Sequence, residues 1–307
     1  MKAAGEVRAT VEATGLLRRA PVVVLFSGGR DSTCLLDLAV RLGADVSALH
    51  VDYGLRSDSA GDAEHCARVC ASLGIELAVQ RPRRPEDAGN LQAWARDVRY
   101  GAAARLAGAR DADVAAGHTA SDQAETVLYR LAASPGRRAL LGMAARDGRL
   151  VRPLLGITRA ETAAYCRARG LAWREDASNA SDAFARNRVR HELLPALQSV
   201  HPAAEENVRR TAELLREEAA VLDEFVAGVL DGREEIELDR LAALPPALAR
   251  LVVRRLAEGA TGSVVPRAAR RTGDVLALGS DGALDLGNGA RARVRAGILS
   301  FEPTPAR

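Results

Sequence analysis

Two rhythms of apolar residues alternate through the first half of the chain. Residues 21–26 form a continuous apolar run of strand length, followed by Ser-Gly-Gly and then by helical periodicity over residues 31–42. The same pair of signals recurs: strand patterns at 45–51, 75–79 and 112–116, helical patterns at 61–73, 91–106 and from 122 to 131. Strands alternating with helices of this length predict right-handed βαβ units and a parallel sheet with helices on both faces. Such a sheet binds ligands at the carboxyl ends of its strands. The polar segments 27–32, 52–56 and 117–123 each follow a strand directly, so three loops are expected on one rim.

The rhythm changes after Ser134-Pro135-Gly136. Residues 151–155 are short and apolar, 159–169 and 184–197 read as helices, the second of them basic, and 204–230 reads as one longer polar helix. Beyond it, 248–256 is helical and 283–301 alternates like a hairpin around Gly287-Asn288-Gly289. The expected architecture is a doubly wound parallel sheet over residues 1–200, a linking helix at 201–230 and a small α+β domain at 231–307.

Composition narrows the chemistry. The 307 residues are 48% apolar and 27% charged, ordinary for a globular chain. Lys2 is the only lysine, which excludes a Walker-A phosphate lysine and a Schiff base formed by an internal lysine. A net charge of +3 makes any nucleic-acid surface local. Cys34, Cys66, Cys70 and Cys166 form no C-x-x-C pair and supply no zinc shell. The longest early apolar run is far below the ~20 residues of a membrane span. A soluble, cytoplasmic chain with reduced thiols is expected, with no membrane partner.

The sharpest chemical signal is Ser27-Gly28-Gly29-Arg30-Asp31-Ser32 between a buried strand and a helix. Glycines let the backbone approach an anion, and a helix N-terminus offers unpaired N–H groups and a positive dipole end. An aspartate suits a phosphate cradle when Mg²⁺ bridges it to the ligand. The segment resembles the PP-loop of the ATP pyrophosphatase (adenylating) superfamily, S-G-G-x-D-S, which requires no loop lysine. His50-Val51-Asp52-Tyr53-Gly54-Leu55-Arg56, Ala95-Arg96 with Arg99-Tyr100, and Gly117-His118 with Asp122-Gln123-Ala124-Glu125-Thr126 follow in order. Arg152-Pro153-Leu154-Leu155, Glu175-Asp176 with Ser178-Asn179, and Arg186-Asn187-Arg188-Val189-Arg190 complete the series. In this order they resemble the tRNA(Ile)-lysidine synthetase family. One position departs: where the family pattern has two aspartates before the glutamine, this chain has Ser121-Asp122.

The resemblance implies adenylation by ATP of the C2 oxygen of the wobble cytidine in the CAU anticodon of tRNA(Ile). Free L-lysine then displaces AMP, with Mg²⁺ assisting. It places ATP against Ser27, Gly28, Gly29, Arg30, Asp31, Ser32, His50, Val51 and Arg96, the metal on Asp31 and Asp122, and lysine at Asp122 and Glu125. Asp31, His118 and Asp122 are the catalytic candidates. His118 has two readings, helping to deprotonate lysine or orienting the cytidine, beside a plain capping or core role. Arg186, Asn187 and Arg190 are the tRNA candidates, with a solvated basic helix face as the alternative. Arg291, Arg293 and Arg295 line one face of a strand, as an RNA contact or an exposed sheet face. A homodimer is allowed. Competing readings are another PP-loop enzyme acting on tRNA, such as a thiolase, and a non-catalytic nucleotide-binding module.

Overall fold

The computed structural model describes residues 3–18, 21–55, 59–85, 89–134, 136–175 and 185–304. The chain divides into two compact units, Met1–Leu215 and Arg216–Arg307, and the division falls within one long helix. In the first unit α1 (Ala4–Ala13), β1 (Val22–Leu25), α2 (Arg30–Arg41), β2 (Val46–Val51), α3 (Ser59–Leu73), β3 (Glu76–Gln80), α4 (Leu91–Arg110), β4 (Asp113–Ala115) and α5 (Ala120–Ala133) follow in order. Then come α6 (Arg137–Leu140), β5 (Arg146–Asp147), β6 (Leu150–Val151), α7 (Arg159–Ala168) and α8 (Ala185–Arg188). A π-helical turn (Val189–Leu193) joins α8 to α9 (Leu194–Val200), and α10 (Ala204–Leu230) crosses into the second unit.

The sheet of the first unit runs β3-β2-β1-β4-β6-β5, parallel throughout except that β5 returns antiparallel to β6. Its central strand shows why the apolar run at 21–26 is unbroken. Val22, Val24 and Phe26 pack with α1, α2, α3 and α7, whereas Val23 packs on the small residues Ala102, Ala103 and Ala107 of α4. Both faces of β1 are therefore covered, as expected of a doubly wound parallel sheet.

Chain direction across the sheet reverses beside β1: β2 and β3 lie on one side of it, β4 and β6 on the other. A crevice opens at such a reversal, at the carboxyl ends of the strands. The loop after β1 and the loop after β4 meet there, and they carry residues 26–29 and 116–119. Thus the strand order brings two of the three polar segments together.

The second unit contains the end of α10, β7 (Glu235–Glu237), α11 (Leu238–Ala242), α12 (Pro246–Thr261), a 3₁₀ turn (Ala269–Arg271), α13 (Thr272–Leu276), β8 (Gly282–Gly287), β9 (Ala290–Arg295) and β10 (Ile298–Pro303). Its antiparallel sheet runs β7-β10-β9-β8. Ala290, Ala292 and Val294 of β9 join Val252, Val253 and Leu256 of α12 in the core. Arg291, Arg293 and Arg295 take the other face by alternation. On that face Arg293 pairs with Glu302 at 2.7 Å, so part of the charge is balanced within the sheet. Asn288, at φ +52° between two positive-φ glycines, makes the β8–β9 turn. No helix among the described residues is long and apolar enough to cross a membrane.

Candidate active site

The Ser27–Ser32 loop is tied by its own hydroxyls. Ser27 Oγ and Ser32 Oγ lie 3.0 Å apart, the Gly29 amide donates to Ser27 Oγ, and Ser32 Oγ donates to the Gly29 carbonyl at 2.9 Å. Gly28 has φ +76°, and a Cβ there would sit 3.0 Å from Cys66 Sγ and 3.2 Å from His65 Cδ2. Only glycine satisfies both the backbone and the space. A distant segment pins the loop: the Arg174 amide donates to the Gly28 carbonyl at 2.9 Å. From beneath, buried His50 places Nδ1 3.0 Å from the Phe26 carbonyl oxygen and 3.3 Å from Cys66 Sγ. The His50 side chain thus supports the loop. Val51 closes the β2–β3 pairing opposite Gln80.

The β4 loop presses on the start of α2. A Cβ on Gly117 would lie 3.2 Å from the Asp31 carbonyl carbon and oxygen and from the Ser32 amide nitrogen, all backbone atoms. Gly117→Ala is expected to cost about 1–3 kcal/mol by overpacking. It should also weaken nucleotide binding, because the loop and the helix start move apart. Urea unfolding and ATP titration of the variant check both effects.

Directly after this contact α5 begins with a capping box. The amide and hydroxyl of Thr119 each donate to Asp122 Oδ2 at 2.8 Å, and the Asp122 amide donates back to Thr119 Oγ1. The other carboxylate oxygen, Oδ1, accepts from Arg159 Nη2 at 2.9 Å and from Arg186 Nη2 at 3.3 Å. Burial acts to raise the Asp122 carboxyl, but Arg159, Arg186 and the Thr119 amide outweigh it, and its pKa is held below the usual carboxylate value.

One helical turn on, Glu125 is fully buried. Its Oε1 accepts from Arg159 Nη1 at 2.9 Å and Arg190 Nε at 2.7 Å, and its Oε2 from Arg186 Nε at 3.2 Å and Arg190 Nη2 at 3.1 Å. Four charge-assisted bonds fill the lone-pair positions of this carboxylate. Arg159 also reaches toward the loop, with its Nε 3.9 Å from Asp31 Oδ2. Asp31 accepts from Arg30 at 3.0 and 3.2 Å and from the Thr162 hydroxyl of α7. A continuous chain of charges thus runs from Asp31 through Arg159 to Asp122 and Glu125.

These contacts revise several expectations. Glu125, expected at the lysine, spends its carboxylate on three arginines. Arg186, in α8, and Arg190, within the π-helical turn, both turn inward onto Glu125 of α5. Arg190 is 22% exposed and Arg186 43%, so only Arg186 keeps a broad outer edge. Asn187, expected at the tRNA, is buried. Arg30, expected at the nucleotide, donates to Asp31 and Thr162. Arg56, Asp176, Ser178 and Asn179 lie outside the described residues.

His118 belongs to the loop after β4 and has Asp122, Arg152, Arg186 and Arg99 as its charged neighbours. Burial, outweighing the nearby Asp122 carboxylate and aided by Arg152, Arg186 and Arg99, pushes its pKa down to about 4. Its Nδ1 is buried without a hydrogen-bond partner among the described residues. A half-buried, neutral imidazole with an open nitrogen is suited to meet a ligand atom. The His118 NMR signals are therefore expected to stay constant from pH 8 to pH 6; a midpoint near the ordinary 6.5 would contradict the burial.

A cationic rim adjoins it. The Arg96 and Arg99 guanidinium carbons lie 4.7 and 5.5 Å from the Tyr100 ring centroid, and both arginines are exposed. Burial and then the neighbouring Arg96 and Arg186 lower the pKa of Arg130. For Arg152, burial together with Arg96 and Arg130 outweighs Tyr100 and Asp147 and lowers it as well. Cations that raise one another's cost in this way are suited to an anionic ligand.

Sequence reading missed Arg159, although it marked a helix beginning there. The signal was present: an arginine at the first position of a helix opposes the helix dipole and so is held there by some other partner. Arg130 and Thr162 carried no comparable mark.

A family model described as the PP-loop domain matches residues 5–197. A tRNA(Ile)-lysidine synthase of Azoarcus sp. is 42% identical over 244 residues, covering 74% of this chain and 53% of that protein. The synthases of Streptomyces coelicolor and Nocardia farcinica are 40% and 42% identical and cover 81% and 76% of this chain, and 75% and 74% of theirs. The chain spans about half the length of the first relatives it matches. A U34-tRNA thiolase of Methanococcus maripaludis, 19% identical with a TM-score of 0.59, shares the fold over 69% of this chain and 78% of its own. With a PP-loop domain over most of its length and relatives of this identity and coverage, the chain belongs to the tRNA(Ile)-lysidine synthase family.

Proposed function

We propose that the chain activates the wobble cytidine of tRNA(Ile) with ATP and joins lysine to it. The observation that carries this reading is the lysine-free loop at the sheet's reversal point, linked through Arg159 to Asp122 beside a neutral His118. The cytidine O2 attacks the α-phosphorus of ATP; the new P–O bond forms as the bond to pyrophosphate breaks. The lysine ε-amine then bonds to C2 while the C2–O bond breaks and AMP departs, and the proton lost by the nitrogen passes to solvent.

The Ser27–Ser32 loop and the first-turn amides of α2 hold the triphosphate tail and stabilise charge on the departing pyrophosphate. Asp31 is the residue that fits Mg²⁺. Oxygen ligands suit that ion, and Asp31 Oδ2 takes one hydrogen bond, from Arg30, and keeps an open position at the loop. Asp122 has both oxygens engaged and does not share the ion. When bound, the ion would neutralise phosphate charge.

His118, with a pKa of about 4, is a poor acceptor for an ammonium proton of ordinary pKa near ~10.4, so it orients the cytidine through its open Nδ1 instead. Asp122, kept ionised by its arginines, presents its charge rather than a free oxygen to the incoming amine, and Glu125 fixes those arginines. Arg96, Arg99, Arg130 and the outer edge of Arg186 take RNA phosphates.

Pyrophosphate release from ATP tests the reading. Release that depends on tRNA(Ile), followed by AMP and lysine-labelled tRNA when lysine is added, is expected. No release with any tRNA would overturn it in favour of a non-catalytic nucleotide-binding module.

A further inference from the structure

Ser121 stands where the resemblance leads one to expect an aspartate, and its surroundings show what the serine holds. Ser121 is buried in the first turn of α5. Its hydroxyl donates to Glu205 Oε1 at 2.6 Å and accepts the Arg159 amide at 3.1 Å. That amide is the first of α7, one of the N-terminal donors a helix cannot satisfy internally. The second oxygen of Glu205 accepts from Gln198 Nε2 at 3.2 Å, which holds the carboxylate in place. A cavity of about 180 Å³ lined by Thr158, Gln198 and Glu205 adjoins the pair.

We propose that Ser121 and Glu205 form a positioning pair for Arg159, in which the Glu205 carboxylate, from the first turn of α10, holds the serine hydroxyl that accepts the Arg159 amide. The serine clamps the backbone at the start of α7. From that fixed point the Arg159 side chain reaches Asp122 and Glu125, each at 2.9 Å, and turns toward Asp31. The serine bridges two elements that an aspartate would set in conflict, because a carboxylate at 121 would stand against Glu205. Neither residue touches substrate; both act through the guanidinium that aligns Asp122. The inference rests on the lysine-ligation reading only for its kinetic consequence.

Amide hydrogen exchange and steady-state kinetics test the pair together. In Ser121→Ala, exchange of the Arg159 amide should rise about tenfold or more. The KM for lysine should rise about five- to tenfold while that for ATP stays within about twofold. Glu205→Ala should reproduce this split, and the double variant should add little, since coupled residues fail to add. Ser121→Asp should behave as badly as Ser121→Ala, and Ser121→Asp with Glu205→Gln should recover both exchange and KM. An unchanged Arg159 amide in Ser121→Ala, additive losses in the double variant, or no recovery in the Asp/Gln variant would each overturn the proposal. If the wild-type chain turned over no substrate, the proposed reaction would fall, and the exchange rates, which need no substrate, would still decide the pair.

Discussion

Glu125→Gln is expected to destabilise the first unit by about 3–5 kcal/mol, the cost of removing one side of a buried ionic network. The carboxylate is fully buried and receives four hydrogen bonds from Arg159, Arg186 and Arg190. A neutral amide keeps the shape but offers one acceptor oxygen and two donors, so it faces arginine N–H groups with N–H groups of its own. Three guanidinium groups are then left with Asp122 as their nearest shared carboxylate. Urea unfolding at pH 7 measures the loss, and a change below about 1 kcal/mol, the range of an exposed pair, would show that the network is solvent-screened.

The same region sets the acid sensitivity of the fold. Asp122 is held below its ordinary 3.8, so its contribution is complete above that value and is lost as pH falls through the lowered one. His118 acts earlier. Its folded pKa of about 4 lies below the ordinary 6.5, so the unfolded chain gains a proton first, and stability falls steadily as pH drops from 6.5 toward 4.

Asp31→Ala is expected to lower turnover by about 10²–10³-fold, the range for loss of one preorganised electrostatic contact. The carboxylate sits in the first turn of α2, where a negative charge is favourable, and Arg30 and Thr162 fix it beside the loop. Its removal leaves the loop's amides and hydroxyls in place but takes away the one acidic group there with an open position for a cation. tRNA affinity should stay within about threefold, since phosphate contacts come from the arginine rim. A filter-binding assay beside the turnover assay separates these effects. Equal losses in both would mean that Asp31 acts by holding α7 through Thr162 and Arg159.

Much of the fold was legible because it rests on local signals. The uninterrupted run around Val22–Leu25, followed by Ser-Gly-Gly and a periodic segment, marks β1, the loop and α2 within a residue or two. The polar helix at 204–230 matches α10 end to end, because interleaved glutamate and arginine leave a periodic trace. Other elements left little trace. Helix α1 buries only Val7 and Val11, and β5 and β6 are two residues each, with Arg146–Asp147 carrying no apolar pattern. The apolar run at 151–155 is a strand only at its first residue; Leu154 is buried in the turn that follows. Likewise the alternation at 283–301 contains three strands, because a second turn at Ala296-Gly297 follows the first.

The site was legible in its loops and hidden in its pairings. Spacing alone put Arg186 and Arg190 on one face, yet not which way that face points. That direction follows from Glu125, more than sixty residues earlier, whose burial makes sense only when three cations surround it. Arg159 was invisible as a functional residue for the same reason: its partners Asp31, Asp122 and Glu125 come from two other helices.

Diffraction from crystals soaked with ATP addresses the central claim most directly. The account predicts the β- and γ-phosphates lying over Ser27–Ser32 at the start of α2, with Asp31 on the same side as the triphosphate. A triphosphate bound on another rim of the sheet, with the Ser27–Ser32 loop making no phosphate contact, would contradict it.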